Sequence, residues 1–372
     1  MIAIVLGTRA ELIKTFPVML ELNKRNIPYV FIHTGQHSLG HLTKELGVKD
    51  PDVVLTPPPE KASTKFWVKM WRAIAWNLLL VPKIWGALRK IPNLKWVLYH
   101  GDTMSTASAA IAASRILNPA KKFRNAHLEA GLRSKSLREP FPEEMARRIC
   151  DLFSDTLFAV STGTEQNLKR EHQRGKIINT GNTIVDSTEL TYQLARKKGI
   201  RPPKEKQYAL LTIHRDENIR YKERLEPIVE ILGKIPITTY FALHDNTKKK
   251  LKEFGLWDKL NSYPHLKISP LKNYIEFIVW LKHCSLMITD GGSIQEESLV
   301  FKTPSILLRK LTERDEGLGT GLNFLTNLDV ERAEKLIKKV LDPKWAVSDF
   351  KNPYGEYGVS KKVVDELVKF NS

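Results

Sequence analysis

The sequence predicts two α/β domains, each a parallel sheet flanked by helices, and three observations carry that expectation. Short apolar runs alternate with longer amphipathic segments, the pattern of strands and crossover helices. With 372 residues, the chain is longer than one compact core ordinarily accommodates. Hydrophobic residues at 42% and charged residues at 27% match a soluble globular protein.

The elements follow in order. Strands are expected at 2–6, 29–33, 96–100 and 156–160 in the first half, and at 209–213, 239–243, 286–289 and 305–308 in the second. Pro57-Pro58-Pro59 and Arg201-Pro202-Pro203-Lys204 read as loops. The second of these places a domain boundary near 185–205, giving domains 1–185 and 186–350. A closing segment, 351–372, carries Val363, Val364, Leu367 and Val368 at helical spacing, a helix able to cross back to the first domain. Phe66, Trp67, Trp71, Ile74, Leu78 and Val81 form an aromatic-rich helical face, with Trp76 and Trp85 nearby. It reads as a helix buried in the core or in a dimer contact, with a membrane-surface helix as the alternative. Lys69, Arg72, Asn77, Pro82 and Lys83 interrupt it, so it is not a membrane span.

Lys plus Arg number 59 against 41 Asp plus Glu, a formal net charge of +18. Such an excess suits an anionic partner, but the basic residues are spread along the chain, which argues against nucleic acid. The two cysteines, Cys150 and Cys284, lie in apolar stretches, as in a chain of the reducing cytoplasm with no disulfide framework. The first residues, Met1-Ile2-Ala3-Ile4-Val5-Leu6-Gly7, read as a buried strand and not as a signal peptide.

Two strand-to-helix turns suit anions. Gly7-Thr8-Arg9 follows the first strand, with Glu11 and Lys14 on the next helix; the glycine permits close backbone approach and Arg9 and Lys14 add charge. Gly291-Gly292-Ser293 follows the strand at 286–289 and opens a helix containing Glu296 and Glu297. One of these acids suits a ribose diol; favourable interaction with the helix dipole is the structural alternative, and both can hold at once because the two side chains point about 100° apart around the helix. Three carboxylates fall after strands of the first half: Asp102 in His100-Gly101-Asp102-Thr103, Glu129 in His127-Leu128-Glu129-Ala130-Gly131-Leu132-Arg133, and Glu143 in Pro140-Phe141-Pro142-Glu143-Glu144. Removing a proton from carbon needs a positioned base, which fits such groups. The structural alternative for Glu143 and Glu144 is i,i+4 ion pairing with Arg147 and Arg148; Glu144 is expected to pair in that way, and Glu143 to act on substrate. His214, with Arg215 beside it, sits at a strand end, where it suits an acid, a base or a phosphate ligand facing an interdomain cleft. No metal-spaced His or Cys cluster, complete Gly-x-Gly-x-x-Gly fingerprint or Walker A loop occurs, so neither a metal nor another cofactor is expected.

Taken together these motifs resemble the UDP-N-acetylglucosamine 2-epimerase family. The resemblance runs collinearly from Gly7 to Ser360, adding Gln36-His37, Thr180-Gly181-Asn182-Thr183, Thr212, His244, Gln295-Glu296-Glu297, Thr312-Glu313-Arg314 and Asn352-Pro353-Tyr354-Gly355 to those above. It departs from the family at Gly291-Gly292-Ser293, where the usual order is Ser-Gly-Gly, and at Ile213 and Ala146. It implies two Rossmann-like domains of the glycosyltransferase-B type, the nucleotide held mainly by the second, and no redox cofactor. It implies loss of UDP across C1–C2 of the sugar, a glycal intermediate, and re-addition. By similarity Asp102, Glu129, Glu143 and His214 are the catalytic candidates. Arg9, Lys14, Arg133, Arg215, His244, Phe277, Gly291, Gly292, Ser293, Glu297 and Arg314 are the candidate contacts to a UDP-sugar, and a homodimer is the expected assembly. A hydrolysing 2-epimerase and a glycosyltransferase of the same architecture are the rival readings, and product analysis separates them.

Overall fold

The computed structural model describes residues 1–57, 66–134, 142–270, 273–347 and 349–369, the side chains of 66–74 and 270 excepted. Pro58, Pro59, Pro140 and Phe141, and the side chains of Phe66, Trp67, Trp71 and Ile74, lie outside the described residues. The chain divides into two compact units, 1–187 joined by 354–372, and 188–353.

The first unit holds a seven-stranded sheet, β1 (Ile2–Leu6), β2 (Tyr29–His33), β3 (Val53–Val54), β4 (Trp96–His100), β5 (Arg124–Ala130), β6 (Thr156–Ala159) and β7 (Lys176–Asn179), in the order β3-β2-β1-β4-β5-β6-β7. Every pairing is parallel, and the central strands are buried along their length. Such burial on both faces is why β1 and β4 read as unbroken apolar runs. The crossover helix Arg9–Lys24 starts with a capping box, in which the Thr8 hydroxyl accepts from the Glu11 N–H and the Glu11 carboxylate accepts from the Thr8 N–H. The closing helix Val359–Lys369 packs on Arg9–Lys24. Its first turn is held by Asp186, whose carboxylate accepts from the N–H groups of Gly358, Val359 and Ser360 at 2.7, 3.2 and 2.7 Å.

The second unit holds a six-stranded parallel sheet, β8 (Ala209–Thr212), β9 (Thr239–Leu243), β10 (Leu266–Pro270), β11 (Leu286–Thr289), β12 (Ser305–Leu307) and β13 (Asn323–Leu325), in the order β10-β9-β8-β11-β12-β13. One face is covered by the helix Lys222–Gly233, whose Leu225, Ile228, Val229, Ile231 and Leu232 enter the main apolar cluster with Leu211, Phe241, Ile288 and Ile306.

All eight strands expected from sequence form, three of them one residue shorter, while β3, β5, β7, β10 and β13 were not expected. In both units the strand order reverses next to the first strand, between β1 and β4 and between β8 and β11. Ligands of open α/β sheets bind beyond the carboxyl ends of the strands at such a reversal.

Candidate active site

At the reversal in the first unit, β1 ends at Gly7-Thr8 and β4 at Gly101-Asp102. Glu11 is buried here and accepts from the Gly7 and Thr8 N–H groups and from the Thr103 and Thr106 hydroxyls at 2.5 to 3.2 Å. Burial pushes its carboxyl up, against those four hydrogen bonds. Glu11 thus ties the ends of β1 and β4 together. Asp102 is partly exposed, and its carboxylate accepts from Arg147 Nη2 at 2.5 Å.

The sequence reading placed Glu129 just past an apolar strand. The structure corrects this: Glu129 lies inside β5, near its end, and β5 is not apolar. Its φ is +68°, and the β5–β6 register shifts between Leu128 and Ala130. A glutamate in the left-handed region costs on the order of 1–3 kcal/mol, and such outliers cluster at working sites. The carboxylate is buried, accepting from Lys14 Nζ and from Asn182 Nδ2 at 3.3 Å. Lys14, expected from sequence to add charge to an anion site, is buried and turned onto Glu129. Arg9 is exposed, its Nε donating to the Ser38 carbonyl at 2.9 Å.

Glu143 opens the helix Glu143–Phe153 and is partly buried. Glu144, fully buried, accepts from Arg148 Nε at 2.9 Å and from the Ser134 N–H at 3.0 Å, the pairing expected for it. Arg147, read from sequence as a possible ion-pair partner on this helix, reaches Asp102 and also lies 3.5 Å from Glu144. Arg133 donates to Glu171, to Asp151 and to the Leu132 carbonyl, which gives most of its N–H groups protein acceptors.

In the second unit the corresponding edge holds different groups. His214, partly exposed, stacks on His244 with ring centroids 4.7 Å apart. Burial lowers the His244 pKa, and the neighbouring His214 lowers it further. The His214 and Arg215 N–H groups donate to the buried Asp290 at 3.0 Å, locking the loop after β8 to the turn after β11. The helix Ser293–Val300 begins directly after Gly291-Gly292. A Cβ on Gly292 would stand 2.7 Å from Arg314 Nη1 and 3.0 Å from Arg215 Nη2, so two guanidinium groups close over the glycine at a helix N-terminus. Carboxylates hold these arginines: Glu313 accepts from Arg215 at 3.1 Å and from Arg314 at 2.5 Å, and Glu296 lies 3.1 Å from Arg314 Nε. Burial alone would lower the Arg215 pKa, but Glu313 and Glu217 hold it above the ordinary value. Glu297 is buried and accepts from the Tyr274 hydroxyl at 3.0 Å; Phe277 is 9% exposed within an apolar cluster. Glu11, Arg147, Asp151, Asp290 and Glu313 were not among the catalytic or contact candidates read from sequence.

The family model for UDP-N-acetylglucosamine 2-epimerase matches residues 20–368. The UDP-N-acetylglucosamine 2-epimerase of Methanocaldococcus jannaschii is 35% identical, over 98% of this chain and 97% of its own length. Its crystal structure in complex with UDP-GlcNAc and UDP superposes with a TM-score of 0.80, covering 99% of each chain. The Neisseria meningitidis UDP-GlcNAc 2-epimerase bound to UDP-GlcNAc gives 0.82 at 28% identity, again over 99% of each chain. A sucrose-phosphate synthase from Thermosynechococcus elongatus, 13% identical over 100% of this chain and 98% of its own, gives 0.66, a likeness of fold alone.

Proposed function

The chain belongs to the UDP-N-acetylglucosamine 2-epimerase family, and we propose that it interconverts UDP-N-acetylglucosamine and UDP-N-acetylmannosamine without hydrolysis. In the forward direction a carboxylate of the first unit takes the C2 proton. The C2–H electron pair forms the C1=C2 bond, and the C1–O bond breaks with its pair leaving on UDP. Return of a proton to the other face of C2 and attack of the UDP oxygen on C1 complete the inversion. Two proton-transfer groups on opposite faces are needed, and Asp102, Glu129 and Glu143 supply them. The observation that carries this reading is the strained, buried Glu129 on β5, the strand next to β4, beside the Gly101-Asp102 loop at the strand reversal. Arg215, Arg314 and the Gly291-Gly292-Ser293 turn of the second unit take the diphosphate, with His214 and His244 beside them. Glu297 takes the ribose diol, and Arg9 and Phe277 flank the substrate.

Incubation with UDP-N-acetylglucosamine in heavy water, followed by proton NMR, tests the proposal. Deuterium at C2 of a UDP-linked product is expected. Full retention of protium overturns the elimination, and accumulation of free UDP with free N-acetylmannosamine establishes the hydrolysing reaction instead.

A homodimer is part of the proposal. In the helix Phe66–Arg89, Leu78 and Leu79 are 68% and 65% exposed, a residual apolar face suited to self-association. Light scattering coupled to size exclusion should return twice the chain mass, and a monomer would refute it. Both cysteines are buried and free, in keeping with the cytoplasm, and among the described residues no helix is long and apolar enough to cross a membrane.

A further inference from the structure

The helix Glu143–Phe153 carries more of the site than its first residue. Glu143, Arg147 and Asp151 are spaced four apart and fall along one stripe of the helix. Glu143 is a candidate carboxylate, and Arg147 binds Asp102. Asp151 is completely buried. Its Oδ1 lies 2.7 Å from His127 Nδ1, and its Oδ2 accepts from Arg133 Nη2 at 2.7 Å and from the Gly131 N–H at 3.3 Å. Burial alone would raise the Asp151 carboxyl, but His127 and Arg133 hold it below the usual range.

The ring of His127, also fully buried, extends the connection. Its Nε2 lies 2.8 Å from the Gly101 carbonyl oxygen, which can only accept. Gly101, at φ +82°, is the residue before Asp102. Gly131, at φ +85°, lies two residues after Glu129, and a Cβ there would stand 2.4 Å from the Thr164 carbonyl oxygen. One carboxylate on the Glu143 helix therefore grips both turns that present the other two acids. It holds the Asp102 turn through His127 and the Glu129 turn directly.

We propose that Asp151 and His127 are positioning residues for the epimerisation, fixing Asp102, Glu129 and Glu143 in one geometry before substrate arrives. The proposal rests on the reading of Asp102 as acting on the sugar. Neither residue touches a reacting atom; their effect is on orientation, where a displacement of about 1 Å costs on the order of 100-fold in rate.

Substitutions at His127 separate positioning from plain stability. The amide nitrogen of glutamine falls near the place of Nε2, and that of asparagine near Nδ1. His127→Gln should keep the bond to Gly101 and hold kcat within about fivefold, whereas His127→Asn should lower it about 100-fold. Asp151→Asn should lower kcat by about 10- to 100-fold with KM and calorimetric UDP affinity within about threefold of the starting protein. Equal kcat in the two His127 variants, both folded by circular dichroism and melting, overturns the proposal. So does a loss in Asp151→Asn that follows only the fraction unfolded; should that variant not fold, the His127 pair still decides. Asp102→Asn run alongside tests the premise separately: wild-type turnover there would remove the role of Asp102, and the positioning proposal with it.

Discussion

The two units share a sheet order around their reversals, β2-β1-β4-β5 in one and β9-β8-β11-β12 in the other, yet their carboxyl edges carry opposite chemistry. The first gathers acids: Glu11, Asp102 and Glu129, with Lys14 and Arg147 as their cations. The second gathers guanidinium groups, Arg215 and Arg314, over a glycine turn, with Glu296 and Glu313 holding them. The backbone geometry that makes a site is thus common to both. On the proposed function, the side chains at the strand ends decide which edge moves protons and which holds a diphosphate.

The sharpest way to break this division is at Gly292. Because a Cβ there would meet Arg314 Nη1 at 2.7 Å and Glu313 Oε1 at 3.1 Å, Gly292→Val should abolish UDP binding in calorimetric titration. Unchanged affinity in a folded variant would place the nucleotide elsewhere and remove the assignment of the second unit. The converse test is Glu143→Gln, which keeps shape and a hydrogen bond but removes the base. Turnover should fall at least about 100-fold while UDP affinity stays level, since the acid belongs to the other unit. If turnover survives and melting falls instead, Glu143 is a structural ion-pair residue.

Ser293→Ala gives a smaller effect. The backbone N–H groups of the first helical turn carry most of an anion cradle, and one hydroxyl adds roughly 0.5–1.5 kcal/mol, somewhat more toward a charged phosphate. UDP affinity should weaken by about tenfold, and kcat at saturation should stay level. A loss of kcat without loss of affinity would move Ser293 from holding to chemistry.

How legible each unit was in sequence follows the same division. The glycine turn after β11 could be read because glycines at a helix start have few other uses, and β1, β4, β8 and β11 could be read because buried parallel strands are apolar. Strand β5 could not. Its Asn125, His127 and Glu129 alternate with Ala126, Leu128 and Ala130, so the central strand that carries the site looks like an exposed one. Asn125, buried, spends its amide on the Tyr99 hydroxyl and the Phe153 carbonyl at 2.8 Å each, contacts that no local pattern reveals. Strand β3 is two residues long, below what an alternation can register. Arg147 was legible as a cation beside two acids but not as the partner of Asp102, because that contact joins residues 45 apart. The four-residue spacing of Glu143, Arg147 and Asp151 was the one available sign that this helix has a polar buried stripe.

The smallest expected effect sharpens the comparison through acidity. His100, at the end of β4, is fully buried, and burial pushes its pKa down to about 3, while His244 of the second unit is only partly buried and less protected from water. For a histidine whose folded pKa lies below the ordinary value near 6.5, the unfolded chain binds the proton first as pH falls. Stability from the neutral ring is therefore intact above about pH 6.5 and is lost progressively as pH falls toward 3. The loss approaches about 1.4 kcal/mol per pH unit, which for a unit of this size is roughly 2–4 °C per kcal/mol. Replacing His100 by glutamine removes that titration, so the melting temperature of the variant should fall less steeply than wild type between pH 6.5 and 4. His244→Gln should flatten the curve less, because water already reaches that ring. Parallel slopes for wild type and His100→Gln would show that His100 takes up its proton in the folded state, and that the end of β4 is wetter than its burial indicates.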